Sequence, residues 1–303
     1  RMIRPPRHLG IVGNRGKEGV RAFLPPLVQW VRSQGRKVSL ERELARGIRG
    51  VGAGVSLEAL VRRADAILVL GGDGTMLGAA RAASAAGVPI LGVNLGGLGF
   101  LTETAQENLY PALERIFHGQ VTLERRTMVE AQVRRRGEGS RGKTTWQEVG
   151  LNDAVIHPSE RSRVIAMDLE IAGKEIGTLV GDGLIVASPT GSTAYSLSAG
   201  GPVVRPSIEA LVLTPISPHT VTWRPLLIGA DETIRVRLRP GHPRASLTID
   251  GQVARTLTPD DEVLIRRARR RSTLIVLEPE SFYDVLRTKL AWATSPRGRV
   301  PDQ

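Results

Sequence analysis

The chain has 303 residues, 41% of them hydrophobic, enough for two ordinary domains with packed cores and against global disorder. It contains no cysteine, which excludes disulfides, thiolate zinc sites and cysteine nucleophiles, and its five histidines show no HExxH spacing. A formal net charge of +12 invites a nucleic-acid reading, but aromatic residues make up only 4%, leaving few candidates for base stacking.

The opening RMIRPPRHLG lacks an apolar signal core, and no apolar run is long enough to span a bilayer, so a cytoplasmic protein without a membrane partner is expected. HLGIVGN (8–14) reads as a short strand. EGVRAFLPPLVQWVRSQG (18–35) reads as a helix interrupted in its middle by Pro25 and Pro26. KVSLE (37–41) is a second strand, and the glycine-rich GIRGVGAGVS (47–56) is expected to be a mobile loop before a short helix, LEALVRRA. Then come AILVL, a GGDG bend, the helix TMLGAARAASAAG and the strand VPILGVN (88–94). This βαβ series predicts an open parallel sheet, whose ligands sit at the carboxyl ends of the strands.

After the helix ENLYPALERIFHG (107–119) the character changes. From about Arg126 to Glu278 short alternating runs such as RVIAMDLEIAG and ETIRVRLRPG predict strands separated by turns. Two basic runs lie here, VRRRGEGSRGK (133–143) as a hairpin tip and IRRARRRST (265–273) as strand, turn and strand; both read as solvated arginine-rich segments, and no nucleic-acid partner is expected. The end, ESFYDVLRTKLAW (280–292), returns to helical spacing. The expected architecture is therefore α/β plus all-β. An open parallel α/β domain spans residues 1–125, a β-sandwich-like domain spans 126–278, and residues 279–303 pack back on the first domain.

Four segments carry chemistry. In GGDGT (71–75) the glycines Gly71, Gly72 and Gly74, with Thr75, expose backbone amides at a helix N-terminus, a ready place for phosphate. The patterns GxxxxGK[ST] and GxGxxG are both matched by GEGSRGKT (137–144), but that stretch reads as a hairpin tip and not as the strand-to-helix turn either fingerprint needs. A carboxylate among such amides repels phosphate unless it serves the reaction, so Asp73 either takes a proton from an attacking hydroxyl, holds a magnesium ion, or merely caps the helix. The second cluster, VNLGGLGFLTE (93–103), follows the neighbouring strand, so two glycine-rich loops can frame one crevice. GDGLIVASPTGSTAYSLSAGGPVV (181–204) offers the hydroxyls of Thr190, Ser192 and Thr193 and the ring of Tyr195 to a flat ligand. Leu151-Asn152-Asp153 suits the vicinal hydroxyls of a ribose, or forms an Asx turn.

Taken in order, GGDGT (71–75), NLGGLGF (94–100), LND (151–153), GDGLIVASPTGSTAYSLSAGGP (181–202), LTPISPHTVTWRPLL (213–227) and DGQ (250–252) closely resemble the NAD kinase family. The resemblance implies transfer of a phosphoryl group from ATP, or another donor such as polyphosphate, to the 2′-hydroxyl of the adenosine ribose of NAD, with Mg2+ as the expected divalent cation. It implies that Asp73 is the proton acceptor, beside Gly71, Gly72, Gly74 and Thr75 at the phosphates. It further implies an NAD site of Asp73, Gly74, Asn152, Asp153, Arg163, Asp182, Thr190, Thr193, Ala194, Tyr195, Ser198 and Gln252, and a homodimer or homotetramer. Two alternatives share part of these features. A lipid kinase carries GGDGT but does not need TGSTAY, and a nucleotide- or nucleic-acid-binding protein exploits the positive charge without catalysis.

Overall fold

The computed structural model describes residues 4–14, 16, 19–95, 99–135, 143–159, 164–241, 244–277 and 282–290. Its chain divides into two compact units, residues 1–76, 89–124 and 274–303 in one, residues 77–88 and 125–273 in the other.

The first unit alternates strand and helix. Its elements are β1 (His8–Gly13), α1 (Val20–Ser33), β2 (Lys37–Leu40), α2 (Arg42–Ala45), α3 (Leu57–Arg63), β3 (Ala66–Leu70), the start of α4 (Asp73–Ser84), β4 (Ile90–Asn94), β5 (Thr104–Ala105), α5 (Leu109–Phe117) and β6 (Thr122–Arg126). β3 and β4 are buried at every position, the pattern of strands covered on both faces of a parallel sheet. β1 pairs in parallel with β2 and β3, and β3 with β4, in register Leu70 with Val93.

Helix α1 runs without a break through Pro25 and Pro26, against the expected interruption. Val20, Leu24, Leu27, Val28 and Val31 form one buried stripe, and this packing outweighs the hydrogen bonds the prolines forgo. The glycine-rich segment 47–56 is also more fastened than expected. Val51 is buried, the Val55 N–H donates to the Leu40 carbonyl at 2.8 Å, and Ser56 caps α3 by accepting from the Ala59 N–H. Against the same core Trp30 stacks on Phe117 and meets Tyr110 edge-on.

The second unit is a pair of antiparallel sheets. In chain order the strands are β7 (Val129–Arg135), β8 (Lys143–Gly150), β9 (Asp153–Pro158), β10 (Ile165–Ile171), β11 (Lys174–Gly181), β12 (Gly183–Ala187), β13 (Ala210–Ile216), β14 (Leu226–Gly229), β15 (Ile234–Leu238), β16 (Ala245–Ile249), β17 (Val253–Leu257) and β18 (Asp261–Arg267), with the short helix α6 (Tyr195–Ser198) after β12. One sheet has the order β11-β10-β15-β18-β7-β8 and the other β14-β13-β12-β9-β16-β17. Val129, Ala131, Met167 and Val263 of one sheet share a core with Ile156, Leu184, Leu211 and Leu247 of the other, which makes a β-sandwich. The arginines of the basic runs are partly neutralised: Arg135 pairs with Asp261 at 3.0 Å, Arg266 with Glu130 at 2.7 Å, and Arg271 with Glu209. The hairpin tip between β7 and β8 lies outside the described residues.

β19 (Ser272–Val276) leaves this sandwich and joins the first unit's sheet, whose order is β2-β1-β3-β4-β19-β6 with β5 beside β4. The terminal helix α7 (Phe282–Leu290) follows, with Leu286 buried. Among the described residues no helix is long and apolar enough to cross a membrane.

Candidate functional site

The GGDGT bend is built by close approach. At Gly71 a Cβ would lie 2.6 Å from the Thr75 hydroxyl, so any larger residue would push the first turn of α4 off the end of β3. The Gly72 carbonyl accepts from the Thr75 and Met76 N–H groups at 3.0 and 3.2 Å and starts the helix, which leaves Asp73 as its first residue.

The Asp73 carboxylate does not turn back on its own helix as a simple cap. Its Oδ2 accepts the Phe100 N–H at 3.0 Å and its Oδ1 accepts the Leu101 N–H at 3.2 Å. Gly99 makes this possible, because a Cβ there would sit 2.0 Å from Asp73 Oδ1. The Gly99 N–H in turn donates to the Thr102 hydroxyl at 3.0 Å. The two glycine-rich segments therefore meet on one half-buried carboxylate, held at the positive end of a helix. Gly74 is exposed beside it, and Thr75 is half-buried. Gly96, Gly97 and Leu98 lie outside the described residues, as does Arg163, so neither the middle of NLGGLGF nor that arginine is placed.

A second cluster assembles in the β-rich unit. The Ser188 hydroxyl donates to the Leu151 carbonyl at 2.6 Å and accepts the Gly191 N–H at 3.1 Å, while the Ser188 N–H donates to the Asn152 carbonyl at 2.8 Å. Gly191 lies so close to this strand end that a Cβ would stand 2.1 Å from the Asn152 oxygen. The LND segment and the TGSTAY segment are thus stitched together. Within the latter the hydroxyls split into two sets. Ser192 donates to the Pro189 carbonyl and accepts the Val204 N–H, so it belongs to the scaffold and not to the ligand-facing set the sequence suggested. Ser196 pairs with Thr214 at 2.8 Å. The Thr190 hydroxyl, in contrast, is buried and has no hydrogen-bond partner among the described residues. Thr193 donates to the Thr190 carbonyl at 3.2 Å, Ala194 is half-buried, and Tyr195 and Ser198 are exposed on α6. Asp182 presents an exposed side chain from a backbone fixed between Gly181 and Gly183, both packed against neighbouring carbonyls.

The loop before β9 is held by Asp250, the first residue of DGQ, for which the motif gave no role. Asp250 and Gly251, with φ of 52° and 63°, are the central residues of the turn that, with Gln252, joins β16 to β17, and the Gln252 N–H closes it on the Ile249 carbonyl at 2.9 Å. The Asp250 carboxylate reaches across to accept three successive amides, Leu151 N–H at 3.0 Å, Asn152 N–H at 2.7 Å and Asp153 N–H at 3.2 Å. These bonds, and not an Asx turn, shape the LND loop. Arg81 of α4 stands 3.5 Å from Asp250 and donates to Gln252 Oε1 at 2.9 Å. The signal for Asp250 was present, since an Asp-Gly pair between two alternating runs is a hairpin turn, but nothing in the spacing said where its side chain would point.

Asp153 itself is 5% exposed, and among the described residues nothing donates a hydrogen bond to its carboxylate. Burial, with the neighbouring Asp250 charge adding to it, pushes Asp153 up to about 7. Burial also raises Asp250, while its three amide bonds and Arg81 pull the other way.

The comparisons with known proteins agree across the chain. Residues 55–121 match the ATP-NAD kinase N-terminal domain and residues 151–277 the ATP-NAD kinase C-terminal domain. The NAD kinase of Geobacter sulfurreducens is 42% identical over 266 residues, covering 88% of this chain and 92% of that protein. The NAD kinase of Koribacter versatilis is 38% identical over 284 residues, covering 94% and 98%. Among solved structures, the yeast NADH kinase complexed with NADH superimposes with a TM-score of 0.87 at 23% identity, over 97% of this chain and 90% of that one, a likeness of fold. The Archaeoglobus fulgidus NAD kinase in complex with ATP gives a TM-score of 0.71 at 25% identity, over 94% and 98%. With identity of this level over most of its length, the chain belongs to the NAD kinase family.

Proposed function

We propose that this chain converts NAD to NADP by moving the terminal phosphoryl group of ATP to the 2′-hydroxyl of the adenosine ribose. The observation that carries the reading is the Asp73 carboxylate, set in a glycine-rich bend and oriented by the Phe100 and Leu101 amides, in a chain 42% identical to an NAD kinase. Asp73 orients the 2′-hydroxyl and accepts its proton as the oxygen–phosphorus bond forms and the bond to the β-phosphate oxygen breaks. The transition state is loose, so holding the hydroxyl in line contributes more than removing its proton early. Backbone amides of Gly72 and Gly74, with Thr75, bind the donor phosphates; the expected Gly71 amide is not among them, because its N–H donates to the Val93 carbonyl at 3.0 Å.

On the acceptor side, Asn152 and Asp153 take the ribose and adenine, and the unpartnered Thr190 hydroxyl meets an adenine nitrogen. Thr193, Ala194, Tyr195 and Ser198 line the dinucleotide, Asp182 lies at the nicotinamide end, and Gln252 and Arg163 add contacts. This assignment is supported by the order of the motifs and by the stitching of the LND and TGSTAY segments. A divalent cation carried by the triphosphate, with Asp73 as the near carboxylate, is part of this reading; among the described residues no group of three or more His, Cys, Asp or Glu side chains is arranged to hold a metal. Such a cation, when bound, neutralises charge on the phosphoryl oxygens. Magnesium as that cation, a homodimeric or homotetrameric assembly and a cytoplasmic setting belong to the same proposal and rest on family resemblance.

The test is direct: purified protein, magnesium, ATP and NAD are incubated, and NADP is detected with a dehydrogenase that accepts only NADP. NADP formation is expected. Product from polyphosphate but not ATP changes the donor, and no product from either donor with NAD or NADH sinks the reading.

A further inference from the structure

We infer that Asp250, with Arg81 as its counter-ion, is a positioning residue for the dinucleotide, fixing the Asn152 and Asp153 side chains in place through the amides of Leu151, Asn152 and Asp153. The inference rests on the reading of Asn152 and Asp153 as NAD ligands.

The geometry leaves Asp250 little other purpose. Its side chain is buried, and it stands at a φ of 52°, a conformation that glycine or asparagine adopts more readily when only a turn is needed. Its two oxygens are taken up by three consecutive amides of a strand end almost a hundred residues away in the chain. Gly150 permits the approach, because a Cβ there would lie 2.7 Å from Asp250 Oδ1. A loop whose three N–H groups all point at one carboxylate has its side chains aimed by default, since adjacent φ and ψ angles are fixed together. The same carboxylate faces Asp153 as a like charge and Arg81 as an opposite one, and these are the charged groups set against it. Arg81 lies on the helix that begins at Asp73 and also holds Gln252, so one guanidinium supports both ends of the DGQ turn.

The experiment compares wild type, Asp250→Asn and Arg81→Gln by steady-state kinetics and by direct titration of NAD. An asparagine turns its amide against one of the three N–H donors, and the loss of a charge-assisted bond is expected to raise the KM for NAD about tenfold or more. The kcat at saturating NAD and the KM for ATP stay within about threefold. The acid limb of kcat/KM for NAD moves to lower pH in Asp250→Asn, because Asp153 no longer faces a second carboxylate; a merely structural role would not move it. Arg81→Gln gives the same KM effect with a smaller amplitude, and it decides the matter should Asp250→Asn fail to fold. Unchanged KM for NAD in either folded variant, or a loss confined to kcat, overturns the inference. A wild-type protein that forms no NADP instead overturns the functional reading beneath it.

Discussion

Replacing Asp153 by asparagine should make the protein more stable at neutral and alkaline pH while weakening NAD binding. The carboxyl group is raised from its ordinary 3.8 to about 7 by burial and by the Asp250 charge. Below pH 3.8 the folded and unfolded chains both hold the proton, and the favourable contribution is fully present. As pH rises from there, the unfolded chain releases the proton while the folded chain keeps it, so stability falls until about pH 7 and then levels off. At roughly 1.36 kcal/mol per pH unit the whole interval amounts to about 4 kcal/mol. Asparagine fills the same volume without the charge and escapes this loss. The expected gain is about 1–2 kcal/mol at pH 5 and about 4 kcal/mol at pH 8, read from urea unfolding of both proteins at several pH values. A gain that does not change with pH, or a variant less stable than wild type at pH 8, refutes the argument that burial next to Asp250 keeps this group from ionising.

Asp73→Asn should fold and bind NAD within about threefold of wild type by calorimetry while turnover falls at least about a hundredfold; near-wild-type turnover would remove Asp73 from the chemistry. Gly99→Ala places a methyl group on the Asp73 carboxylate, so kcat should fall about tenfold or more with little change in NAD affinity. Unaltered kcat there would show that the Phe100 and Leu101 amides do not orient Asp73. Thr190→Val removes a hydroxyl that has no partner, so unfolding free energy should stay within about 0.5 kcal/mol while the KM for NAD rises severalfold. A large loss of stability would reveal a structural bond at that hydroxyl.

Much of this architecture could be read from residue order. The series of short apolar runs such as AILVL and VPILGVN separated by helical segments announced a parallel sheet, and the strands it places are buried at every position. The change to alternating runs after Arg126 announced the sandwich, as one polar face and one buried face require. What local pattern could not convey was packing at a distance. Pro25 and Pro26 signal a break, yet a buried stripe of five residues keeps α1 whole. Ser192 and Thr190 look alike two positions apart, and only the fold decides that one is spent on Val204 while the other has no partner among the described residues. Asp250 was visible as a turn residue, but its reach to Leu151, Asn152 and Asp153 depends on β16 lying beside β9.

The position of β19 bears on how this chain is made. The strand enters the first sheet between β4 and β6, but it is synthesised almost 150 residues after β6. Until Leu274, Ile275 and Val276 emerge from the ribosome, β6 has no neighbour in that sheet and the edge of β4 away from β3 is covered only by the two residues of β5. A nascent chain therefore carries an unfinished edge of apolar strand throughout synthesis of the sandwich, the kind of surface that recruits other strands and chaperones. Stop codons or proteolytic cuts anywhere before Ser272 would release a first domain that is not merely short but open, and prone to aggregate.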